Sequence, residues 1–236
     1  MELGQTPGHS ARTLPQPDAA IELWLCSLDS RAGEAAGLAT SLSAAEHARA
    51  ARFGTELLRE RWIVGRATLR LLLGRQLNIE PAAVPLRRGV RGRPEVDMRD
   101  APDFNVSHTG NVALIGIGGA LPPEERIGVD IERADRDVNA DRLAHRVLTE
   151  RERGALAPLD ADARRRRFLR LWTCKEAMSK ATGDALSAPF RRIDVALDDA
   201  IKLEAGPPPY EPDRWRLFAA AVPDDFIATV AIWRRK

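Results

Sequence analysis

Helix-like and strand-like patterns occur in both halves of this 236-residue chain, and their order constrains the fold more than any other feature. Apolar residues recur at helical spacing over residues 56–76 and 162–182, and Gly183 follows the second run as a favourable helix end. Strand-like runs surround both helices without strict strand–helix–strand alternation. That order favours an α+β fold over a doubly wound parallel sheet.

The strand-like runs and the helix starts divide the chain near its middle. Strands are predicted over residues 21–25, 104–108, 112–117, 127–132, 193–197, 215–221 and 226–233. Ser43 with Glu46 and Thr149 with Glu152 have the spacing of capping boxes at helix starts. The Leu-Pro-Pro-Glu-Glu stretch at residues 121–125 is the predicted seam between two halves.

Charge and cysteine content exclude several classes of protein. A formal net charge of +2 gives no general indication of a nucleic-acid or membrane partner, and no apolar run approaches the roughly 18 residues of a membrane helix. Cys26 and Cys174 lie far apart without metal-type spacing, which is typical of a cytoplasmic protein. Residues 1–18 lack the features of a secretory signal, so they are expected to form a disordered leader.

Two acidic residues share one face of the strand predicted at residues 127–132. Side chains alternate along a strand, so Asp130 and Glu132 point the same way while Ile131 points the other way. Like charges on one face are unfavourable unless a cation lies between them, and Mg²⁺ prefers carboxylate oxygens. The alternative is a strand surface whose acidic residues meet water.

A second charged group lies on the long helix predicted at residues 162–182. Glu176 could add a third carboxylate to a metal site, and Lys175 and Lys180 could contact phosphate. The alternative is that Glu176 and Lys180 form an ordinary surface ion pair at helical spacing. In the hairpin at residues 104–117, Ser107 and His108 could donate to a phosphate, although a hydrogen-bonded turn would also accommodate this histidine.

Taken in order, these stretches resemble the 4′-phosphopantetheinyl transferases of the surfactin-synthetase-activating (Sfp) type. The resemblance rests on Phe-Asn-Val-Ser-His-Thr-Gly from residue 104, Gly-Val-Asp-Ile-Glu from residue 128 and Trp-Thr-Cys-Lys-Glu-Ala from residue 172. It implies two similar α+β halves about a pseudo-twofold, with coenzyme A between them. The halves would be residues 19–122 and residues 123–236, the second carrying the metal site.

The resemblance also assigns roles to individual residues. By matching positions, Asp130, Glu132 and Glu176 would hold Mg²⁺ against the pyrophosphate, with Lys180 on the phosphates and Lys175 in the same cleft. The nucleotide and its 3′-phosphate would be met by Ser107, His108, Arg93, Arg61 and Arg49. The family commonly has more basic residues before Phe53, where this chain has Glu46 and His47.

The implied reaction is holo-acyl-carrier-protein synthesis. A carrier-protein serine attacks coenzyme A, adenosine 3′,5′-bisphosphate leaves, and Glu176 accepts the serine proton directly or through a water on the metal. The expected protein is a cytoplasmic monomer that binds coenzyme A and apo-carrier domains but neither nucleic acid nor membrane. One alternative is a metal-dependent hydrolase of nucleotide pyrophosphates. The other is a non-catalytic nucleic-acid binder that uses the arginines clustered at residues 87–93 and 164–167.

Overall fold

The structure, a computed structural model, describes residues 11–29, 33–89, 91–137 and 140–235. Its α-helices are Glu34–Ala39 (α1), Ala44–Ala50 (α2), Glu56–Leu77 (α3), Ala140–Val147 (α4), Glu150–Leu156 (α5) and Ala161–Thr182 (α6). Its strands are Ala11–Leu14 (β1), Glu22–Ser27 (β2), Leu86–Arg88 (β3), Pro94–Val96 (β4), Asp103–Thr109 (β5), Val112–Gly118 (β6), Glu125–Arg133 (β7), Asp194–Leu197 (β8), Ile201–Ala205 (β9), Trp215–Ala219 (β10) and Phe226–Arg234 (β11).

Two antiparallel sheets pack against each other between two long helices. The first sheet has the strand order β1-β2-β6-β5 and the second has the order β10-β11-β7. Their facing side chains form one shared core, in which Leu23 and Leu114 meet Val129 and Val230. Helix α3 packs on the outer face of the first sheet, and α6 packs on that of the second. The architecture is the predicted α+β class.

Helix α6 crosses β7 at very short range, and a glycine permits the crossing. A Cβ atom on Gly128 would lie 1.9 Å from the carbonyl oxygen of Ala177 and 2.8 Å from the amide nitrogen of Ala181. No larger residue fits there without moving the helix. The crossing sets residues 176–180 of α6 directly over the face of β7 that carries Asp130 and Glu132.

Strands β5 and β7 lie side by side, although they belong to different sheets. Polar side chains of β5 accept hydrogen bonds from backbone amides of β7: Asp103 from Ile127 at 2.7 Å, Asn105 from Val129 at 3.0 Å and Ser107 from Ile131 at 3.4 Å. The three acceptors are every second residue of β5 and the three donors are every second residue of β7, because side chains and amides alternate in direction along a strand. Hydrogen bonds from β7 amides to β5 side chains thus take the place of backbone-to-backbone hydrogen bonds between these two strands.

Most predicted elements are confirmed, with small shifts at their ends. Both capping boxes form, and α6 ends at Gly183 in the left-handed conformation, with φ of 81°. The predicted leader at residues 1–18 is wrong in its second half, because Ala11–Leu14 pairs with β2 and buries Leu14. Residues 1–10 lie outside the described part. Among the residues that the structure describes, no helix is long and apolar enough to cross a membrane.

Candidate active site

Three carboxylates lie near one another where α6 crosses β7. Asp130 and Glu132 point from β7 towards the helix, and Glu176 points from the helix towards them. Burial raises the pKa of all three, and the negative charge of Asp130 further raises the pKa of Glu132 and Glu176. The pKa of Glu176 rises to about 7. Such a group of perturbed acids is characteristic of functional sites.

Asp130 joins the two halves of the protein through one of its oxygens. Its Oδ1 accepts a hydrogen bond from the hydroxyl of Ser107 at 2.8 Å and an ion-pair contact from Nζ of Lys180 at 2.6 Å. The ammonium of Lys180 also donates to Ser107 at 2.8 Å. Residues from β5, β7 and α6 therefore form one polar cluster, while the predicted roles of Ser107, Asp130 and Lys180 towards nucleotide, metal and phosphate stay predictions.

Glu132 lies at the outer edge of this cluster and is held from both sides. Its Oε1 pairs with the guanidinium of Arg136, which follows β7 in the chain, and its Oε2 accepts from the hydroxyl of Thr109 at 3.3 Å. Neither Arg136 nor Thr109 was identified from the sequence as a site residue. A spacing of four residues does not predict a contact on a strand. Glu132 and Arg136 come together because the chain turns after β7.

Two buried oxygen atoms in the cluster lack any partner among the described residues: Oδ2 of Asp130 and Oε1 of Glu176. A buried carboxylate oxygen without a donor is costly, so these atoms fit a bound cation. In the same part of the chain, however, no three Asp, Glu, His or Cys side chains converge closely enough to form a preassembled metal site. The residue types suit Mg²⁺, but the assignment of Asp130, Glu132 and Glu176 stays a prediction.

Lys175 does not line this cleft, contrary to the prediction. Its side chain is fully buried, and its ammonium donates to Glu152 at 2.6 Å and to the carbonyl oxygens of Val147 and Phe190 at 2.9 Å each. All three donor positions of the ammonium are used. Lys175 therefore joins α4, α5 and α6 and has no free hydrogen for a phosphate.

Arg93 is likewise a buried structural residue and not an open phosphate contact. Its guanidinium forms a bidentate pair with Asp103, at 2.8 and 2.7 Å, and also donates to the carbonyl oxygens of Ile127 and Lys180. These contacts hold β4, β5, β7 and the end of α6 together. The prediction that Arg93 meets the nucleotide is not supported, because Arg93 is buried and four of its five N–H donors already have acceptors.

The remaining predicted residues lie on the N-terminal half. His108 is exposed, next to Ser107 on β5. Arg49 is also exposed, with its guanidinium 5.6 Å from the ring centre of Trp62, and it lines an open cavity of about 450 Å³ beside α2. Arg61 pairs with Asp29 at 2.8 Å. Among the described contacts, none joins Arg49 or Arg61 directly to the acidic cluster.

Near Arg49, Glu46 is engaged in contacts within the protein. Glu46 caps α2, and its carboxylate pairs with Arg66 at 3.2 Å and with the buried Arg70. Burial lowers the pKa of Arg66, opposed by Glu46 and reinforced by positive charge from Arg70, Arg49 and Arg88. A positive region thus exists around Arg49, but Arg66 and Arg88 supply it from other elements.

Comparison with known proteins identifies the family of this chain. The family model described as the 4′-phosphopantetheinyl transferase superfamily matches residues 126–231, which include all of α6 and all of β7 except its first residue. A second model, described as 4′-phosphopantetheinyl transferase, N-terminal, matches residues 31–117. The two matches meet close to the seam predicted at residues 121–125.

Individual relatives match over most of the chain. It is 35% identical over 217 residues to 4′-phosphopantetheinyl transferase HetI of Nostoc sp., covering 90% of this chain and 87% of that protein. It is 34% identical over 206 residues to a putative 4′-phosphopantetheinyl transferase of Synechocystis sp., covering 86% and 79%. Identity to 4′-phosphopantetheinyl transferase Sfp of Bacillus subtilis is 27% over 148 residues, covering 61% and 62%. The chain belongs to the 4′-phosphopantetheinyl transferase family.

Proposed function

We propose that this protein transfers 4′-phosphopantetheine from coenzyme A to a serine of an acyl or peptidyl carrier protein, with Mg²⁺ as its cofactor. Family membership supports the transferase activity. The observation that carries the metal dependence is the pair of buried oxygens without a hydrogen-bond partner among the described residues, Oδ2 of Asp130 and Oε1 of Glu176, on two carboxylates whose charges interact unfavourably.

In this proposal Asp130, Glu132 and Glu176 hold the metal. When bound, Mg²⁺ supplies positive charge beside the pyrophosphate and offsets the charge of the transition state. Lys180 reaches the same phosphates, because its ammonium is partly exposed and its present acceptors are only Asp130 and Ser107. Once Asp130 serves the metal, Lys180 and the hydroxyl of Ser107 can donate to phosphate oxygens.

The transfer itself needs one nucleophile and one proton acceptor. The carrier serine oxygen bonds to the β-phosphorus of coenzyme A while the bond from that phosphorus to the bridging oxygen breaks. Adenosine 3′,5′-bisphosphate leaves with the bridging oxygen. Glu176 accepts the serine proton, directly or through a water. Burial, followed by the charge of Asp130, raises its pKa in the protein without metal, and a bound cation would lower it again.

The nucleotide end of coenzyme A would lie over the N-terminal half. His108 is exposed one residue beyond Ser107, and Arg49 presents its guanidinium on the surface of α2 with further positive charge from Arg66 and Arg88. These groups suit the 3′-phosphate. Arg61 contributes indirectly at most, because its Nε donates to Asp29.

We further propose that the protein acts as a cytoplasmic monomer. Ser107, Asp130 and Lys180, on β5, β7 and α6, come from a single chain and contact one another. Cys26 and Cys174 are buried and unpaired, and burial raises the pKa of Cys174 to about 11, which suits an inert thiol in a reducing compartment.

Release of adenosine 3′,5′-bisphosphate tests the metal dependence and the reaction class together. With coenzyme A and an apo-carrier, we expect EDTA to abolish release and Mg²⁺ to restore it. Asp130→Asn should remain inactive at any Mg²⁺ concentration. Asp135→Asn, which alters an exposed aspartate of the next turn, should be active with Mg²⁺. Undiminished release in EDTA would exclude the metal site. Steady release from coenzyme A without carrier would favour the hydrolase.

A further inference from the structure

The three carboxylates differ in how many of their oxygens are free to bind a cation. Oδ2 of Asp130 and Oε1 of Glu176 are buried and have no hydrogen-bond partner among the described residues. Both oxygens of Glu132 have partners, because Arg136 pairs with Oε1 and Thr109 donates to Oε2. Glu132 is therefore the member of the cluster at which a metal has to compete with an existing ion pair on one oxygen and a hydrogen bond on the other.

The partner of Glu132 is placed so that it can leave. Arg136 follows β7 in a turn whose backbone is closed by a hydrogen bond from the Arg136 amide to the carbonyl oxygen of Arg133 at 3.1 Å. Its side chain is 40% exposed, whereas that of Glu132 is 13% exposed. A long, partly exposed side chain can turn to solvent without disturbing β7. Glu132 cannot move away, since it lies within the strand.

The charge balance of the cluster points the same way. Three carboxylates face two internal cations, Lys180 on Asp130 and Arg136 on Glu132. Lys180 stays useful after a metal binds, because phosphates replace Asp130 as its acceptor. Arg136 gains no such acceptor inside the cluster. Its positive charge beside Glu132 opposes an incoming divalent cation, at a site where water screens only partly.

We propose that Arg136 is a counter-ion of Glu132 that competes with the metal, and that it is displaced from Glu132 when the metal binds. Arg136 then weakens metal affinity and makes Glu132 the last ligand to engage. The inference rests on the proposed metal role of Asp130, Glu132 and Glu176, and it assigns Arg136 no part in the chemical step.

Binding of Mn²⁺ to the coenzyme-A-free protein tests this, followed by the electron paramagnetic resonance signal of free Mn²⁺. Arg136→Gln should bind Mn²⁺ about three- to tenfold more tightly than the wild type, because an ion pair of this exposure no longer competes. Arg133→Gln is the matched control. It removes the same charge from the same turn, but Arg133 pairs with the exposed Asp135, so its affinity should equal that of the wild type.

Each outcome separates the inference from the metal site on which it rests. Equal affinity in the wild type, Arg136→Gln and Arg133→Gln would overturn the role of Arg136 while leaving the metal site intact. An equal gain in Mn²⁺ affinity in both arginine variants would indicate a general charge effect and would also overturn the role of Arg136. If neither the wild type nor Arg136→Gln binds Mn²⁺, the metal site fails and the inference fails with it. Thermal melts of the three proteins confirm that each is folded.

Discussion

A single carboxyl group, Glu176, makes the stability of the folded protein depend on pH. Its pKa rises from 4.5 to about 7 through burial and the nearby charge of Asp130. The folded protein therefore keeps a proton that the unfolded chain releases between these two pH values. Stability contributed by that bound proton is present at low pH and is lost as the pH rises through this window.

Replacing Glu176 with glutamine should remove this pH dependence. In EDTA, the free energy of unfolding of the wild type should fall relative to Glu176→Gln by about 1–2 kcal/mol between pH 5 and pH 8. That range discounts the pKa shift because the group is only partly buried. Urea denaturation at the two pH values measures the difference. Parallel behaviour of the two proteins would contradict the assigned environment of Glu176.

At the same scale, the sequence indicates Asp130, Glu132, Glu176 and Lys180 as candidate site residues, but not the partners of Glu132. Alternation along a strand is enough to place Asp130 and Glu132 on one face, and helical spacing places Glu176 and Lys180 on another. The partners of a side chain depend on turns and on strands distant in sequence. Arg136 and Thr109 approach Glu132 only through such folding, so no local pattern reveals them.

The element that carries most of the site is α6, and its two lysines have opposite roles. Lys180 is four residues from Glu176 and shares its face, whereas Lys175 is rotated about 140° from Lys180 at 3.6 residues per turn. Helical geometry alone therefore shows that Lys175 and Lys180 cannot both line the same cleft. The resemblance to a family does not reveal this, because a shared motif does not state which face each residue occupies.

Lys175→Met should destabilise the protein far more than an ordinary lysine substitution. It leaves Glu152 charged and buried without its cation, together with two backbone carbonyl oxygens that lose a donor. Such a loss costs about 3–5 kcal/mol. Lys202→Met, on the exposed side of β9, should change the free energy of unfolding by less than about 0.5 kcal/mol. Chemical denaturation of both variants compares them, and similar small losses would contradict the structural role of Lys175.

Some elements leave a clear trace in the sequence and others do not. Capping boxes mark α2 and α5, and Gly183 marks the end of α6, because each uses a local hydrogen bond or a local backbone conformation. β1 leaves no such trace. Only Leu14 of its four residues is buried, and the strand exists because its edge pairs with β2.

At the scale of the whole molecule, the site depends on how the two sheets meet. Asp103, Asn105 and Ser107 replace a backbone ladder between β5 and β7, and Ser107 also bonds to Asp130. The groups that join the halves thus also position the acidic cluster. An alternating polar face on β5 is visible in the sequence, but its partner strand is not, since the pairing spans two sheets.

The most direct test of the account is the mass of apo-carrier domains after incubation with this protein, coenzyme A and Mg²⁺. Acyl-carrier and peptidyl-carrier domains should be included, each with a variant whose acceptor serine is alanine. The account predicts that at least one carrier gains the mass of a single phosphopantetheine, with no gain on its serine-to-alanine variant or in EDTA. Unchanged masses for all carriers, with a folded protein and Mg²⁺ present, would contradict it.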